Sequence, residues 1–195
     1  MRRLLTGCLF LGLIVAASHQ ISGQTASNAG WISIFDGKSL APFNTIGDAN
    51  WQLMDGVVQA DKGNGFLVTR ESYGDFQLKV EFWADDDANS GVFLRCQNTQ
   101  QIDSMNAYEV NIYDKRPDQT YATGALVDVS KPLVAMKAGG KWNTFEITAQ
   151  KSHFVVILNG TKTIDADDMK HARGPIGLQY GAGTIKFRSV QIKPL

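Results

Sequence analysis

The residues best suited to chemistry in this 195-residue chain lie in two short segments, residues 89–95 and 108–114. Side chains of a β-strand alternate between two faces, so residues two apart share a face. On that pattern, Glu109 and Asn111 share one face of the second segment, and Arg95 lies on the matching face of the first. A cation, a carboxylate and an amide beside aromatic rings are typical of a sheet that binds sugars. The pattern predicts such a face.

Three further side chains are candidates for substrate binding on the same face. Trp83 and Tyr113 offer flat rings, which pack well against the apolar side of a pyranose. Glu81 lies on the polar side of its own predicted strand. It could supply a second carboxylate if that strand neighbours the strand of Glu109.

Simpler roles remain open for the same residues. Arg95 and Glu109 could form a cross-strand ion pair, which contributes about 0–1 kcal/mol when exposed. Glu81 could be solvated, and Trp83 could cover an edge of the core. Trp142 is predicted to be a core residue.

No metal or cofactor site is predicted. Residues 85–89 form an oxygen-rich loop that could hold Ca²⁺, but they lack the spacing of a known calcium loop, and a solvated hairpin end is simpler. His153 and His171 are predicted at the surface, so no zinc triad is available. Cys96 is predicted to be a buried, unreactive thiol on the apolar side of its strand.

The rest of the chain is typical of short strands joined by tight turns. Residues 76–82 alternate strictly between apolar and polar side chains, and Trp83 follows on the polar face. Asp55-Gly56 and Asn159-Gly160 each separate two strand-like segments, and both pairs favour type I′ hairpins. Nineteen glycines and only five prolines fit the same picture. The pattern predicts an all-β sandwich of twelve or more strands.

Composition and charge restrict the partners. The formal net charge is zero, which argues against nucleic acid or an anionic membrane as a partner, because both need a basic patch. Residues 1–23 resemble a signal peptide, with cleavage after Ser18 or Gly23, and the apolar run is too short to span a membrane. A lipoprotein signal at Cys8 is the alternative. We therefore expect a flexible lead over 24–29, a domain over 30–195, and a periplasmic or secreted location.

An ordered series of short motifs runs from residue 30 to the end of the chain. The motifs are Phe35-Asp36-Gly37-Lys38-Ser39-Leu40, Asn89-Ser90-Gly91-Val92-Phe93-Leu94-Arg95, Tyr108-Glu109-Val110, Thr123-Gly124-Ala125, Trp142-Asn143, Leu158-Asn159-Gly160, Gly174-Pro175-Ile176-Gly177-Leu178-Gln179 and Phe187-Arg188. The series resembles the 3-keto-disaccharide hydrolase family. The chain has Asn111 where that family usually has glutamine, and Tyr180 where a histidine is usual. The resemblance implies a concanavalin-A-like jelly roll of two curved antiparallel sheets with a carbohydrate cleft.

The resemblance also implies a reaction on glycosides whose sugar carries a ketone at C3. Ordinary retaining glycosidases need two carboxylates about 5 Å apart, but no second carboxylate follows Glu109 at positions 111 or 113. A 3-ketone makes the C2 proton acidic, so one base can start an elimination. On this hypothesis Glu109 is the general base, Arg95 stabilises the enolate, and Asn111 and Gln179 bind hydroxyl groups.

Two other functions fit the same fold. A carbohydrate-binding module would have a shallow aromatic platform and no carboxylate of perturbed pKa. A protein-interaction domain would have a flat apolar patch. The enzyme hypothesis instead predicts that the pKa of Glu109 is raised and that Glu109 lies in a cleft at least one disaccharide long.

Overall fold

The computed structural model describes residues 30–195. The predicted signal peptide and flexible lead lie outside the described residues, so both remain predictions. Within the described range the chain forms thirteen β-strands and one short 3₁₀ helix, Gln119–Tyr121. No helix in this range is long and apolar enough to cross a membrane.

The strands form two antiparallel sheets. They are β1 (Ile32–Phe35), β2 (Phe43–Gly47), β3 (Gln52–Met54), β4 (Val57–Ala60), β5 (Gly65–Thr69), β6 (Phe76–Ala84), β7 (Ser90–Leu94), β8 (Tyr108–Ile112), β9 (Lys141–Gln150), β10 (His153–Leu158), β11 (Thr161–Asp167), β12 (Gly177–Tyr180) and β13 (Ile185–Pro194). The large sheet has the order β11-β10-β9-β6-β13-β4-β3, with β1 also paired to β13. The small sheet has the order β2-β5-β12-β7-β8. The predicted all-β sandwich is confirmed.

The core lies between the two sheets and contains alternate residues of each strand. In β6 the inward side chains, from Phe76 to Phe82, are fully buried. Phe82 stacks on Phe145 of β9, with 4.9 Å between the ring centroids. From the small sheet, Val92 and Val110 face the same core. The side chains that alternate with these two along β7 and β8 must therefore project from the outer face of the small sheet.

Both predicted tight hairpins are present. Asn159 and Gly160 have φ angles of 50° and 80° and join β10 to β11. Asp55 and Gly56 have φ angles of 51° and 79° and join β3 to β4. Positive φ at both central residues is the signature of a type I′ turn, which matches the twist of the paired strands.

Trp142 does not lie in the core, so that prediction was wrong. Its neighbours Asn143 and Phe145 face inward along β9, which turns Trp142 outward with 36% of its surface exposed. His153 lies at the surface as predicted, beside Asp165 and Asp167.

Candidate functional site

Polar side chains of β8 and β12 project from the outer face of the small sheet. Strand β7 lies between these two strands. Glu109 is paired with Phe93 of β7, and Asn111 is paired with Gly91. The β7–β12 register, which pairs Gly177 with Phe93, continues to place Gln179 on the other side of Gly91. Gly91 thus lies between two amide side chains. Glu109 lies on the adjacent row of paired residues, which runs across the strands through Phe93 and Gly177.

Glu109 is a buried carboxylic acid with little to stabilise its charge. Only 9% of the residue is exposed. Removal from water raises the pKa of Glu109 to about 7; the charge of Arg116 acts to lower the pKa, and that of Asp128 to raise it. No hydrogen bond contributes to this shift. A carboxylate that is half protonated near neutral pH is suited to accept and return a proton.

Two amide oxygens near Glu109 have no partner among the described residues. Asn111 is fully buried, and its Nδ2 donates to the carbonyl of Tyr121 at 2.5 Å. Its Oδ1 accepts no hydrogen bond, and neither does Oε1 of Gln179. An unsatisfied buried acceptor costs about 1–3 kcal/mol and calls for an explanation, one of which is an absent ligand. Both oxygens are suited to accept hydrogen bonds from hydroxyl groups.

An apolar cluster forms the other part of this face. Phe66 and Phe93 meet edge to face, with 5.2 Å between centroids, and Val68, Cys96 and Ala107 pack around them. Cys96 is buried as predicted, and burial raises the pKa of its thiol to about 12, which disfavours the reactive thiolate. It packs with Phe93 and not with the core residue Leu94, so its predicted place on the core side was wrong, because the turn at Arg95 interrupts the alternation. The apolar surroundings explain the desolvation of Glu109.

The backbone of β8 is held on its outer edge by residues 123–127. The amide of Asn111 donates to the carbonyl of Ala125 at 3.0 Å, and the amide of Val127 donates to the carbonyl of Glu109 at 2.9 Å. The amide of Gly124 also donates to the carbonyl of Asn111 at 2.9 Å, so the backbone groups of both site residues bond to this segment, while the strand as a whole pairs with β7 on its other edge. Side chains on so restrained a strand hold their positions well.

Tyr113 follows directly after β8, and its amide donates to Thr123 Oγ1 at 2.9 Å. By alternation its side chain lies on the same side of the strand as those of Glu109 and Asn111. Its role as a sugar platform stays a prediction.

Arg95 is not on this face, so the predicted pairing with Glu109 was wrong. Strand β7 ends at Leu94, and Arg95 has a φ of +53°. A residue in this left-handed region turns the chain, so the alternation of a strand no longer applies. Arg95 points the other way, with its guanidinium carbon 5.2 Å from the ring centre of the core residue Phe154.

The buried guanidinium of Arg95 makes four hydrogen bonds with its five N–H donors. Its hydrogen-bond acceptors are the carbonyls of Gly74, Lys151 and His171, at 2.8–3.0 Å, and the carboxylate of Asp75, at 3.2 Å. Desolvation lowers its pKa, which the charge of Asp75 partly offsets. These contacts join three separate loops, which is a structural role.

Glu81 and Trp83 also lie away from Glu109. Both project from β6 onto the outer face of the large sheet, on the opposite side of the sandwich. Glu81 forms an ion pair with Arg188. Trp83 is paired with Trp142 and has the ammonium of Lys186 4.6 Å from its ring centre. Their predicted place beside Glu109 was wrong, because strand pairing assigned β6 to the other sheet.

Sequence reasoning missed three residues of this site. Alternation placed Phe93 on the face, although its aromatic contact with Phe66 was not predicted. Gly91 was noted only as part of a motif. Arg116 and Asp128 lie in connections, where no periodic signal shows which side chains approach Glu109.

A family model for the 3-keto-alpha-glucoside-1,2-lyase-like domain matches residues 30–193. The chain belongs to this family. The match covers all strands of the Glu109 face and every other strand except the last residue of β13. A search of curated protein sequences finds no match to the chain.

Solved structures similar to this member of the lyase-like family include two proteins of Parabacteroides distasonis ATCC 8503, each described as a "putative glycosyl hydrolase". One is 28% identical, with a TM-score of 0.73, and the match covers 85% of this chain and 99% of the other. The second is 20% identical, with a TM-score of 0.77, covering 86% and 94%.

A carbohydrate-binding module, CBM66 of Bacillus subtilis, shares the fold at 17% identity and a TM-score of 0.61, covering 84% of this chain and 95% of the module. The lumenal domain of VIP36, bound to Ca²⁺ and Man3GlcNAc, shares it at 8% identity and a TM-score of 0.60, covering 84% and 88%. The fold is therefore the lectin-type jelly roll that was expected. Together the comparisons support a function related to carbohydrates.

Proposed function

We propose that this chain is an enzyme that cleaves 3-keto-glycosides by elimination followed by hydration, with Glu109 as the general base. The observation that carries the proposal is the environment of Glu109. Its carboxyl group is buried against apolar side chains, its pKa is raised to about 7, and unpartnered amide oxygens lie on the adjacent row. Membership of the lyase-like family supports the proposed substrate class.

The reaction needs only one base to begin. The Glu109 carboxylate takes the proton from C2, and the C–H electrons form a C2–C3 double bond as the C3 ketone becomes an enolate. The enolate then re-forms the ketone, a C1–C2 double bond forms, and the C1–O bond to the leaving group breaks. The leaving oxygen takes a proton from Glu109 or water. Water then adds across C1 and C2, with its oxygen on C1.

The remaining side chains of the face bind and orient the sugar. Asn111 Oδ1 and Gln179 Oε1 accept hydrogen bonds from its hydroxyl groups. Arg116 takes the part first assigned to Arg95, because its positive charge acts on Glu109 and favours a developing negative charge nearby. Tyr113 is retained as a candidate platform.

A non-catalytic carbohydrate-binding module is the alternative, and the likeness to CBM66 concerns the fold alone. A binding site for neutral sugars has no need of a desolvated acid, because burying a carboxyl group costs stability at neutral pH. The raised pKa of Glu109 therefore favours the enzyme. We also propose a periplasmic or secreted location, on the strength of residues 1–23 alone.

Turnover of a 3-keto-disaccharide, beside its unoxidised parent, tests the proposal. We expect release of the 3-keto sugar from the first substrate only. In D₂O the released sugar should carry deuterium at C2, since that proton is exchanged during elimination. We expect Glu109→Gln to lower kcat by about 10²–10⁴-fold. The matched control is Glu146→Gln, on the outer face of the large sheet, with wild-type kcat.

The pH profile tests the base directly. Because Glu109 must be ionised to accept a proton, kcat/KM should rise with pH and level off above an inflection near pH 7. Binding of the disaccharide without release of sugar would favour the binding module. Cleavage of the unoxidised parent alone, or no deuterium at C2, would refute the elimination.

A further inference from the structure

Gly91 lies at the centre of the Glu109 face, in the interior of β7. Its φ lies outside the left-handed region, so the backbone conformation there does not require glycine. A glycine in the interior of a strand weakens the strand and often marks a place where another group approaches closely. The reason for glycine at this position must therefore be sought in its neighbours.

The group that approaches Gly91 is the side chain of Glu109. A Cβ atom added at position 91 would lie 3.2 Å from both Cγ and Oε1 of Glu109. It would also lie 3.3 Å from Cε2 of Phe93. These distances are tighter than ordinary contacts of a Cβ atom, so the carboxyl group leans across the strand into space that any other residue would fill.

The carboxyl group of Glu109 leans toward the space between two amide side chains. Gly91 has Asn111 on one side and Gln179 on the other, and each has an amide oxygen without a partner. By crossing over Gly91, the carboxyl group moves from the edge strand β8 toward the line between these two oxygens. A sugar that donates hydroxyl groups to both amides would have its ring above Gly91, in reach of the carboxylate.

We propose that Gly91 is a positioning residue for Glu109: the missing side chain lets the carboxylate lie between Asn111 and Gln179. The inference rests on the proposed function for its catalytic meaning. It concerns the placement of Glu109, which can also be measured without turnover.

The chain offers a matched control at Gly177. This residue lies on β12, on the same face, and is buried like Gly91. A Cβ at position 177 would meet Phe93 Cβ at 3.4 Å and Phe66 Cδ1 at 3.5 Å, which are ordinary contacts, and no atom of Glu109. Gly177→Ala therefore changes a glycine of the same face without displacing the carboxylate.

The experiment compares Gly91→Ala, Gly91→Val and Gly177→Ala with the wild type. Misplacement of a catalytic group by about 1 Å can cost about 10²-fold. We expect kcat to fall about three- to tenfold in Gly91→Ala, by about 10²-fold in Gly91→Val, and by less than twofold in Gly177→Ala. Titration of the ¹³C-labelled Glu109 carboxyl group by NMR should show its pKa falling from about 7 toward the ordinary 4.5 in the Gly91 variants, because a carboxyl group displaced from its buried position is hydrated.

The inflection in the pH profile of kcat/KM should move to lower pH together with the pKa measured by NMR. A merely structural effect of the substitution would not produce this shared shift. If Gly91→Val fails to fold, Gly91→Ala reports the same changes at smaller amplitude. Wild-type kcat together with an unchanged Glu109 titration in Gly91→Ala would overturn the inference. If the wild type cleaves no 3-keto-glycoside, the proposed function fails, while the NMR titration still decides the role of Gly91.

Discussion

Glu109 combines two properties that oppose each other at neutral pH. Its apolar surroundings disfavour the charged carboxylate, whereas its proposed role as general base requires that charge. The charge of Arg116 lowers the pKa of Glu109 and so reduces this conflict. The loss of hydration has the larger effect, because the resulting pKa is raised to about 7. A functional group held in this state costs stability, as is common at active sites.

This cost can be measured as a dependence of stability on pH. Between pH 4.5 and 7 the folded protein keeps a proton on Glu109 that the unfolded chain has lost. Stability is therefore greatest below this window and falls as pH rises through it. At pH 8 the penalty is at most about 3 kcal/mol. We expect Glu109→Gln to raise the free energy of unfolding by about 1–3 kcal/mol at pH 8 and to change it little at pH 4.

Urea unfolding at the two pH values checks this expectation. Glu146→Gln serves as the control, because Glu146 is exposed beside Lys79 and should show no gain that grows with pH. A Glu109→Gln protein that is less stable than the wild type at pH 8 would contradict the account of a desolvated carboxylate.

At the scale of elements, Arg95 joins loops that the strand ladder leaves apart. Its partners precede β6, follow β9 and follow β11. The planar guanidinium reaches all of them at once, which the single ammonium of lysine cannot do. The arginine thus stabilises one end of the sandwich.

We expect Arg95→Ala to lower the free energy of unfolding by about 3–5 kcal/mol, because its buried acceptors, including the Asp75 carboxylate, lose their donor. Arg95→Lys should recover only part of this loss. Chemical denaturation measures both. The kcat of the folded protein should change by less than about threefold, since Arg95 lies away from Glu109.

The control for Arg95 is Arg188→Ala. Arg188 forms an exposed ion pair with Glu81, so its loss should cost only about 0–1 kcal/mol. An Arg95→Lys protein with wild-type stability and a strongly reduced kcat would restore the catalytic role first assigned to this residue.

At the scale of the whole molecule, the sandwich separates two outer faces by a packed core. The outer face of the small sheet contains Glu109, and that of the large sheet contains Trp83 and Glu81. The packed interior prevents a single small substrate from touching both faces. On the proposed function, residues of the large sheet can then affect turnover only through stability.

We expect Trp83→Ala and Glu81→Gln to keep kcat/KM for a 3-keto-disaccharide within about twofold of the wild type. Gln179→Ala should lower it about three- to tenfold, as the loss of one hydrogen bond of about 0.5–1.5 kcal/mol implies. Steady-state kinetics on all three proteins distinguishes the faces. A larger loss in Trp83→Ala than in Gln179→Ala would place the substrate on the large sheet.

The sequence alone determined the features that depend on local backbone geometry. Alternation placed Glu109, Asn111 and Phe93 on one side of their strands and Val92 and Val110 on the other. The turn pairs at residues 55–56 and 159–160 predicted their hairpins, because only a few residue types accept positive φ at low cost. These features depend on neighbours in the chain, so the printed residues are sufficient.

Only the tertiary structure decided which faces belong to the same surface. The alternation rule failed at Arg95, where a non-glycine residue adopts positive φ because buried carbonyls and a carboxylate from three loops hold its side chain. Alternation gave no information on which sheet β6 would join, because its pairing with β9 and β13 is a long-range choice that a strand pattern does not encode. The approach of Glu109 to Gly91 likewise depends on the register between two strands. A strand pattern defines the two faces of a strand, and only packing between distant segments determines what each face meets.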